Sequence, residues 1–324
     1  MHTWLTHTLG IDVPLVQAPM ARVAEGRLAA AVSAAGALGM VGVGPASTPE
    51  WILEQARLAA AAGRPYGIGL MAWALETNPA QVDAAVDTDA ALVSVSFGAF
   101  EEPVRRLKES GKVVTTQVGN LADARRAEAA GVDLVVARGG EGGGHGRNDV
   151  ATLPLLQLLL DEIGVPVVAA GGIANARGLA AVLAAGAVGA WSGTAFLTCR
   201  ESASSAAARA RLAGAGDTAT AYGRVFDLAQ RAAWPAEYGG RALRNAFFDE
   251  WEQREDDLAA DDAAVERYSA AVREGDFDTA VIYAGQGAAL VAPESSAAEV
   301  VASFARADDL LRRVAAGEAG ATTD

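Results

Sequence analysis

The sequence predicts an α/β fold, a (β/α)8 TIM barrel with a smaller helical subdomain inserted or appended after strand eight. Two observations carry this. From Pro14 to Phe196, short apolar runs alternate with helix-like segments at a nearly even beat, as in βα units around a parallel sheet. Several of those runs, such as Val165-Pro166-Val167-Val168-Ala169-Ala170, are apolar throughout, as expected of strands covered on both faces.

In chain order the expected strands are Leu15 to Met20, Leu38 to Val43, Tyr66 to Met71, Leu92 to Phe97, Val113 to Val118, Leu134 to Arg138, Val167 to Ala170 and Val188 to Thr194. Helix ends punctuate them. Thr48-Pro49-Glu50 supplies a cap and first turn and Gly63 a stop, and Asn175 and Gly186 bracket a later helix in the same way. An open doubly wound sheet is the alternative, but its six or so strands leave two of these runs without a place.

After Arg200 the beat stops. The expected division is a barrel over 1–201, a helical substrate or lid subdomain over 202–279, and a C-terminal return to the barrel over 280–324. Ser204 to Leu212 and the acidic Phe248 to Val272 read as helical, and the carboxylates of Glu250 to Asp262 as a solvated face. Tyr222, Phe226, Trp234 and Tyr238 are expected either to select substrate over the barrel mouth or to form the subdomain's own core. The polar tail from Gly317 to Asp324 is expected to fray.

Composition narrows the function classes. Hydrophobic residues at 51% and charged ones at 20% suit a compact enzyme. Forty acidic against 26 basic residues, a formal net charge of -14 with no basic patch, argue against nucleic acid and anionic membrane as partners. The lone Cys199 allows no intramolecular disulfide and fits a reducing cytoplasm, and Met1-His2-Thr3-Trp4-Leu5 lacks the features of a signal peptide. The expected location is therefore cytoplasmic. Two uncharged stretches, Leu28 to Ala46 and Gly178 to Cys199, are rich in Ala and Gly and divide better into helix, turn and strand than into membrane spans. A homo-oligomer is left open.

Chemistry is expected at the C-terminal ends of the strands, where barrel active sites form. Strand six runs into Arg138-Gly139-Gly140-Glu141-Gly142-Gly143-Gly144-His145-Gly146, which holds the chain's only histidine away from the N-terminus. Glycines let backbone approach a ligand closely, and imidazole moves protons near neutral pH, so His145 is the candidate catalytic residue. Strands seven and eight end in Gly171-Gly172-Ile173 and Ser192-Gly193-Thr194. Backbone amides after these two strands form a common phosphate site in barrels, although such glycines also serve plain tight turns.

Other motifs are missing. There is no G-x-G-x-x-G opening a helix after the first strand, no P-loop and no G-x-S-x-G elbow. No second interior histidine joins His145, so no metal is assigned and only an oxygen-ligated magnesium site stays open.

Five ordered segments together resemble the nitronate monooxygenases, formerly called 2-nitropropane dioxygenases. They are Val13-Pro14-Leu15-Val16-Gln17-Ala18-Pro19-Met20, the Ala29 to Gly39 segment with its Ala-Gly-Ala-Leu-Gly, the Gly139 to His145 loop, Ala170-Gly171-Gly172-Ile173, and Gly193-Thr194-Ala195-Phe196. The likeness runs from about residue 10 to 200 and resumes at Ala284-Gly285-Gln286. It implies an FMN held by its phosphate at the loops after strands seven and eight. The cofactor contacts would be Gln17, Ala18, Pro19 and Met20; Gly143 and Gly144; Gly171 and Gly172; and Trp191, Ser192, Gly193 and Thr194, with Gln117 on the ring or ribityl chain.

His145 would then be the general base on a neutral nitroalkane, or would orient a nitronate anion. With O2 as co-substrate, the products would be a carbonyl compound and nitrite.

The chain departs from that family at two cofactor-side positions. Gly69, in Gly67-Ile68-Gly69-Leu70-Met71, stands where many members have asparagine, and Arg138 stands where a glutamine usually precedes the glycine loop. The arginine would either bring a fixed charge to the flavin or an anionic substrate, or pair with a carboxylate such as Glu141. Three other functions remain open at this stage: an FMN- and NAD(P)H-dependent enoyl-acyl carrier protein reductase-like oxidoreductase, a non-catalytic flavin-binding module, and a phosphosugar isomerase without flavin.

Overall fold

The computed structural model describes residues 1–318, so nearly all of the tail expected to fray lies outside the described residues. Its strands are β1 Leu15–Gln17, β2 Gly39–Gly42, β3 Tyr66–Met71, β4 Leu92–Ser96, β5 Val113–Val118, β6 Leu134–Arg138, β7 Gly144–His145, β8 Val167–Ala170, β9 Gly189–Ser192, β10 Thr220–Gly223 and β11 Gly240–Leu243. Eight of them form one parallel sheet in the order β1-β9-β8-β6-β5-β4-β3-β2. A parallel bridge between Val16 and Leu38 brings its two ends together. The fold is therefore the barrel, not the open sheet.

Side-chain alternation builds two cores from the same strands. Val16, Met40, Leu92, Leu134, Val136, Val168 and Trp191 pack together with Leu5, Leu9 and Ile11, so the short helix Trp4–Leu9 caps one end of the interior. The intervening residues, among them Leu15, Val41, Ile68, Val93, Val114, Val135 and Ala169, pack with the surrounding helices. Higher in the interior the character changes. Ser94, Ser96, Thr115 and Arg138 are all buried, and they form a polar layer under the mouth.

Caps fall where the sequence places them. Thr48 accepts a hydrogen bond from the Trp51 amide at 3.2 Å, and Asn175 accepts from Arg177 and Gly178 at the start of Ala176–Ala184. Four barrel strands are shorter than expected: β1, β2, β4 and β9 each stop before the turn residues whose apolar character extended the run. The two uncharged stretches resolve into helix and strand, and among the described residues no helix is long and apolar enough to cross a membrane.

The segment after Arg200 is not purely helical. β10 and β11 pair antiparallel, and β11 also pairs antiparallel with β7, placing Gly240 opposite His145. Runs of four residues that include glycine give too little period-2 signal to be read as strands. The expected helix from Phe248 to Val272 is three: Ala246–Trp251, Glu255–Ala260 and Asp262–Glu274. These pack around a separate core of Val225, Phe226, Phe247, Phe248, Trp251, Leu258 and Tyr268. The C-terminal helices Ala297–Ala305 and Ala307–Ala315 lie back against barrel helices Gly26–Ala34 and Ala176–Ala184.

Candidate active site at the barrel mouth

The loop after β6 owes its shape to two buried arginines. Arg138, only 4% exposed, donates hydrogen bonds to the carbonyls of Gly142 (2.6 Å), Gly144 (2.8 Å) and Arg147 (2.9 Å). From the other side, Arg241 of β11 donates to the Gly140 carbonyl at 2.7 Å and to Asn148 Oδ1 at 3.1 Å. Burial pushes the pKa of Arg138 down to about 10, the neighbouring Arg241 charge adding to the shift and Glu141 offsetting part of it.

Of the two expectations for this arginine, the structure replaces the ion pair with Glu141 by bonds to backbone. The guanidinium is spent on backbone carbonyls, and Glu141 turns instead to the Thr152 amide and hydroxyl, at 2.8 and 2.7 Å. Glycine is required where the loop folds over the arginine. Gly146 has a φ of 153°, and a Cβ there would lie 2.6 Å from Arg138 Nε.

That loop delivers His145 to the mouth as part of β7. Nε2 of the imidazole is 2.7 Å from Asp227 Oδ1, a carboxylate in the short helix Val225–Ala229. The indole of Trp234 lies flat on the imidazole, with centroids 3.6 Å apart and planes 4° from parallel. Tyr283 packs at 5.0 Å and donates its hydroxyl to the same Asp227 oxygen at 3.2 Å.

Sequence reasoning missed Asp227 and Tyr283. Asp227 lies 82 residues beyond the histidine, and its one signal is an acid flanked on both sides by Val225-Phe226 and Leu228-Ala229. The four aromatics expected either at the mouth or in the subdomain's own core divide. Trp234 and Tyr238 are at the mouth, whereas Phe226 belongs to the inserted segment's own core. Tyr222 is a fastener that donates to the Gly146 carbonyl and accepts from the Gly239 amide, both at 3.0 Å.

An aromatic wall continues from Trp234 to Trp73 at 5.2 Å and Phe97 at 5.3 Å, with Tyr238 against Phe97 at 5.5 Å. Phe97 holds a φ of 72°, a conformation costly for a bulky side chain and often found where strain serves a site. Beneath Tyr238 a small cleft is lined by Phe97, Gln117, Gly119, Arg138 and Arg147. Gln117 therefore faces the mouth, and Ser96 Oγ accepts its backbone N–H at 3.0 Å.

The other expected contact residues gather along one seam of strand ends. Gly171 and Gly172 have φ of 112° and 68°, which only glycine adopts readily. Backbone from Ala284 and Gly285 crosses Gly143 so closely that a Cβ there would sit 2.5 Å from the Gly285 nitrogen. Gly144, φ 68°, opens β7. Thr194 accepts the Gly285 amide at 3.0 Å and keeps its own hydroxyl hydrogen free to donate.

Three residues of the expected set do structural work with their side chains. Gln17 is fully buried, and its Oε1 accepts the Met40 amide at 3.0 Å across the β1–β2 seam. Ser192 donates to the Ile173 carbonyl at 2.8 Å, and Trp191 packs in the inner core. The Ala18 amide donates to the Ser192 carbonyl at 2.9 Å, while Met20 sulfur lies by Gly193.

Gly69 has a steric explanation. A Cβ there would lie 2.3 Å from Pro19 Cγ, so the Pro19 ring fills the space that a side chain would need. Gly69→Asn is therefore expected to cost about 1–3 kcal/mol through overpacking, measured as a lower urea midpoint at constant slope. An unchanged midpoint would mean that Pro19 yields freely.

The family model described as nitronate monooxygenase matches residues 2–306. The chain belongs to this family. A nitronate monooxygenase of Paraburkholderia phytofirmans is 34% identical over 92% of this chain and 93% of its own length. A (3aS,4S,5R,7aS)-5-hydroxy-7a-methyl-1-oxo-octahydro-1H-indene-4-carboxyl-CoA dehydrogenase of Mycobacterium tuberculosis is 36% identical over 62% of this chain, a match that spans only 57% of that protein.

Among solved structures, FabK from Thermotoga maritima superposes with a TM-score of 0.84 at 27% identity, covering 98% of this chain and 99% of that one. A nitroalkane oxidase from Streptomyces ansochromogenes gives 0.83 at 29%, covering 96% and 99%. The chain thus shares its family and its barrel with these proteins.

Proposed function

We propose that the barrel mouth binds FMN and carries out oxidative denitrification of alkyl nitronates, and of nitroalkanes after proton removal, with O2 as co-substrate. One observation carries the reading: the only interior imidazole stands against the aromatic wall of the mouth, with Nδ1 making no hydrogen bond among the described residues. The seam suits a phosphorylated flavin. Its glycines leave backbone exposed, Thr194 has a hydrogen to donate, and the nearby Glu141 carboxylate is tied to Thr152 rather than facing an anion.

Gly172, Gly193 and Thr194 would hold the phosphate, and Gln117 would reach the ring or ribityl chain. When bound, FMN supplies the acceptor for electrons from the nitronate and passes them to oxygen.

The chain's own residues supply position and proton transfer. His145 takes the proton from the carbon beside the nitro group, a step worth about 10²–10⁴ in rate. Trp73, Phe97, Trp234 and Tyr238 keep water away from that exchange and present apolar surface to the alkyl group.

A second reading, reduction or dehydrogenation of an acyl thioester with a pyridine nucleotide, has support in the 36% identity to the carboxyl-CoA dehydrogenase. Anaerobic titration of the flavin spectrum separates the two. Bleaching by a nitronate without pyridine nucleotide is the expected result, whereas bleaching by NADH or NADPH alone would overturn it in favour of the second reading.

A further inference from the structure

We infer that Asp227 is a positioning residue that takes the hydrogen on Nε2 of His145, which leaves Nδ1 as the nitrogen that accepts the substrate proton. The inference rests on the proposed function only for what Nδ1 does; the tautomer follows from geometry. An ionised carboxylate is acceptor-only, so at 2.7 Å from Asp227 Oδ1 the imidazole Nε2 must be the donor. In a neutral ring the other nitrogen then carries the lone pair, and no described residue hydrogen-bonds to it.

The surroundings hold this arrangement in place. The Asp227 side chain is 3% exposed and that of His145 9%. Tyr283 donates to the same carboxylate oxygen at 3.2 Å and is itself held by Gln230 at 3.3 Å. Burial raises the Tyr283 pKa well above its ordinary value, so its hydroxyl stays a donor and leaves the carboxylate as the acceptor. Trp234 fixes the plane of the ring by stacking, and the Asp227 bond fixes its rotation within that plane.

A purely structural tie between the inserted segment and the barrel would not need this much. Asp227 is an acid in an apolar core, and its Oδ2 is buried without any partner. Such unsatisfied acceptors are rare and costly in native structures unless function retains them.

Nitrogen-15 NMR of histidine-labelled holoenzyme decides the tautomer directly, because the chain has only three histidines and His145→Ala identifies the signal. The expected wild-type pattern near neutral pH is a protonated Nε2 and an unprotonated Nδ1. A protonated Nδ1, alone or together with Nε2, would overturn the inference without any variant having to fold.

Asp227→Asn can offer an amide hydrogen to Nε2 and so reverse the tautomer. Its kcat with a neutral nitroalkane is expected to fall about 10²–10⁴-fold, with a far smaller change for a preformed nitronate. Unchanged nitroalkane turnover in both Asp227→Asn and Asp227→Ala would also overturn the positioning role. If the protein turns over no nitro compound at all, the proposed function fails while the tautomer measurement still decides the part played by Asp227.

Discussion

His145→Ala is expected to lower turnover of a neutral nitroalkane about 10²–10⁴-fold while leaving preformed nitronate turnover far less affected. The asymmetry follows from what the side chain does. A neutral nitroalkane must lose a carbon-bound proton before it can give up electrons, and His145 is the interior imidazole at the mouth. A nitronate has already lost that proton. Flavin content, measured after ultrafiltration and denaturation, is expected to be unchanged, because the proposed phosphate seam lies at Gly172 and Gly193-Thr194 rather than on β7. Equal loss with both substrates would remove the general-base role, and no loss with either would remove His145 from the mechanism.

Arg138→Met is expected to destabilise the fold by about 2–4 kcal/mol, read as a lower denaturant midpoint at constant slope. Methionine keeps much of the volume but leaves the Gly142, Gly144 and Arg147 carbonyls without their donor. Relief from burying a guanidinium, whose pKa of about 10 records the strain of desolvation, offsets part of that cost. The stability loss is expected to come with lower activity, since the same carbonyls shape the turn that presents His145. An unchanged midpoint would show that water replaces the guanidinium.

The barrel was legible because its signal is redundant. β3, β5, β6 and β8 have the expected bounds; each is a largely apolar or β-branched run, and β5, β6 and β8 end at glycine. His145 stood out by its rarity and its glycine context. The residues that complete its surroundings were not legible, because nothing local marks them. Asp227 meets the ring from 82 positions away, Tyr283 arrives after the inserted segment, and Trp234 sits in a stretch without regular structure. Arg138 was visible as an unusual residue but not as a backbone staple, since carbonyl partners leave no trace in side-chain composition. Which of the four aromatics would face the mouth and which would join the subdomain's own core, as Phe226 does, was left open because hydrophobicity alone does not say which of two cores a phenylalanine joins.

The three-stranded sheet has a consequence for how the molecule can be rebuilt. β7, which carries the histidine, is an edge strand whose only partner is β11, and β11 belongs to the inserted segment. The insertion is thus no detachable cassette. Exchanging it for a relative's version to alter substrate preference would at the same time replace the surface against which the proton-transfer group is registered. Fresh specificity is better sought by changing single residues between Arg231 and Tyr238 other than Trp234, in the irregular stretch that hangs over the mouth without entering the shared ladder.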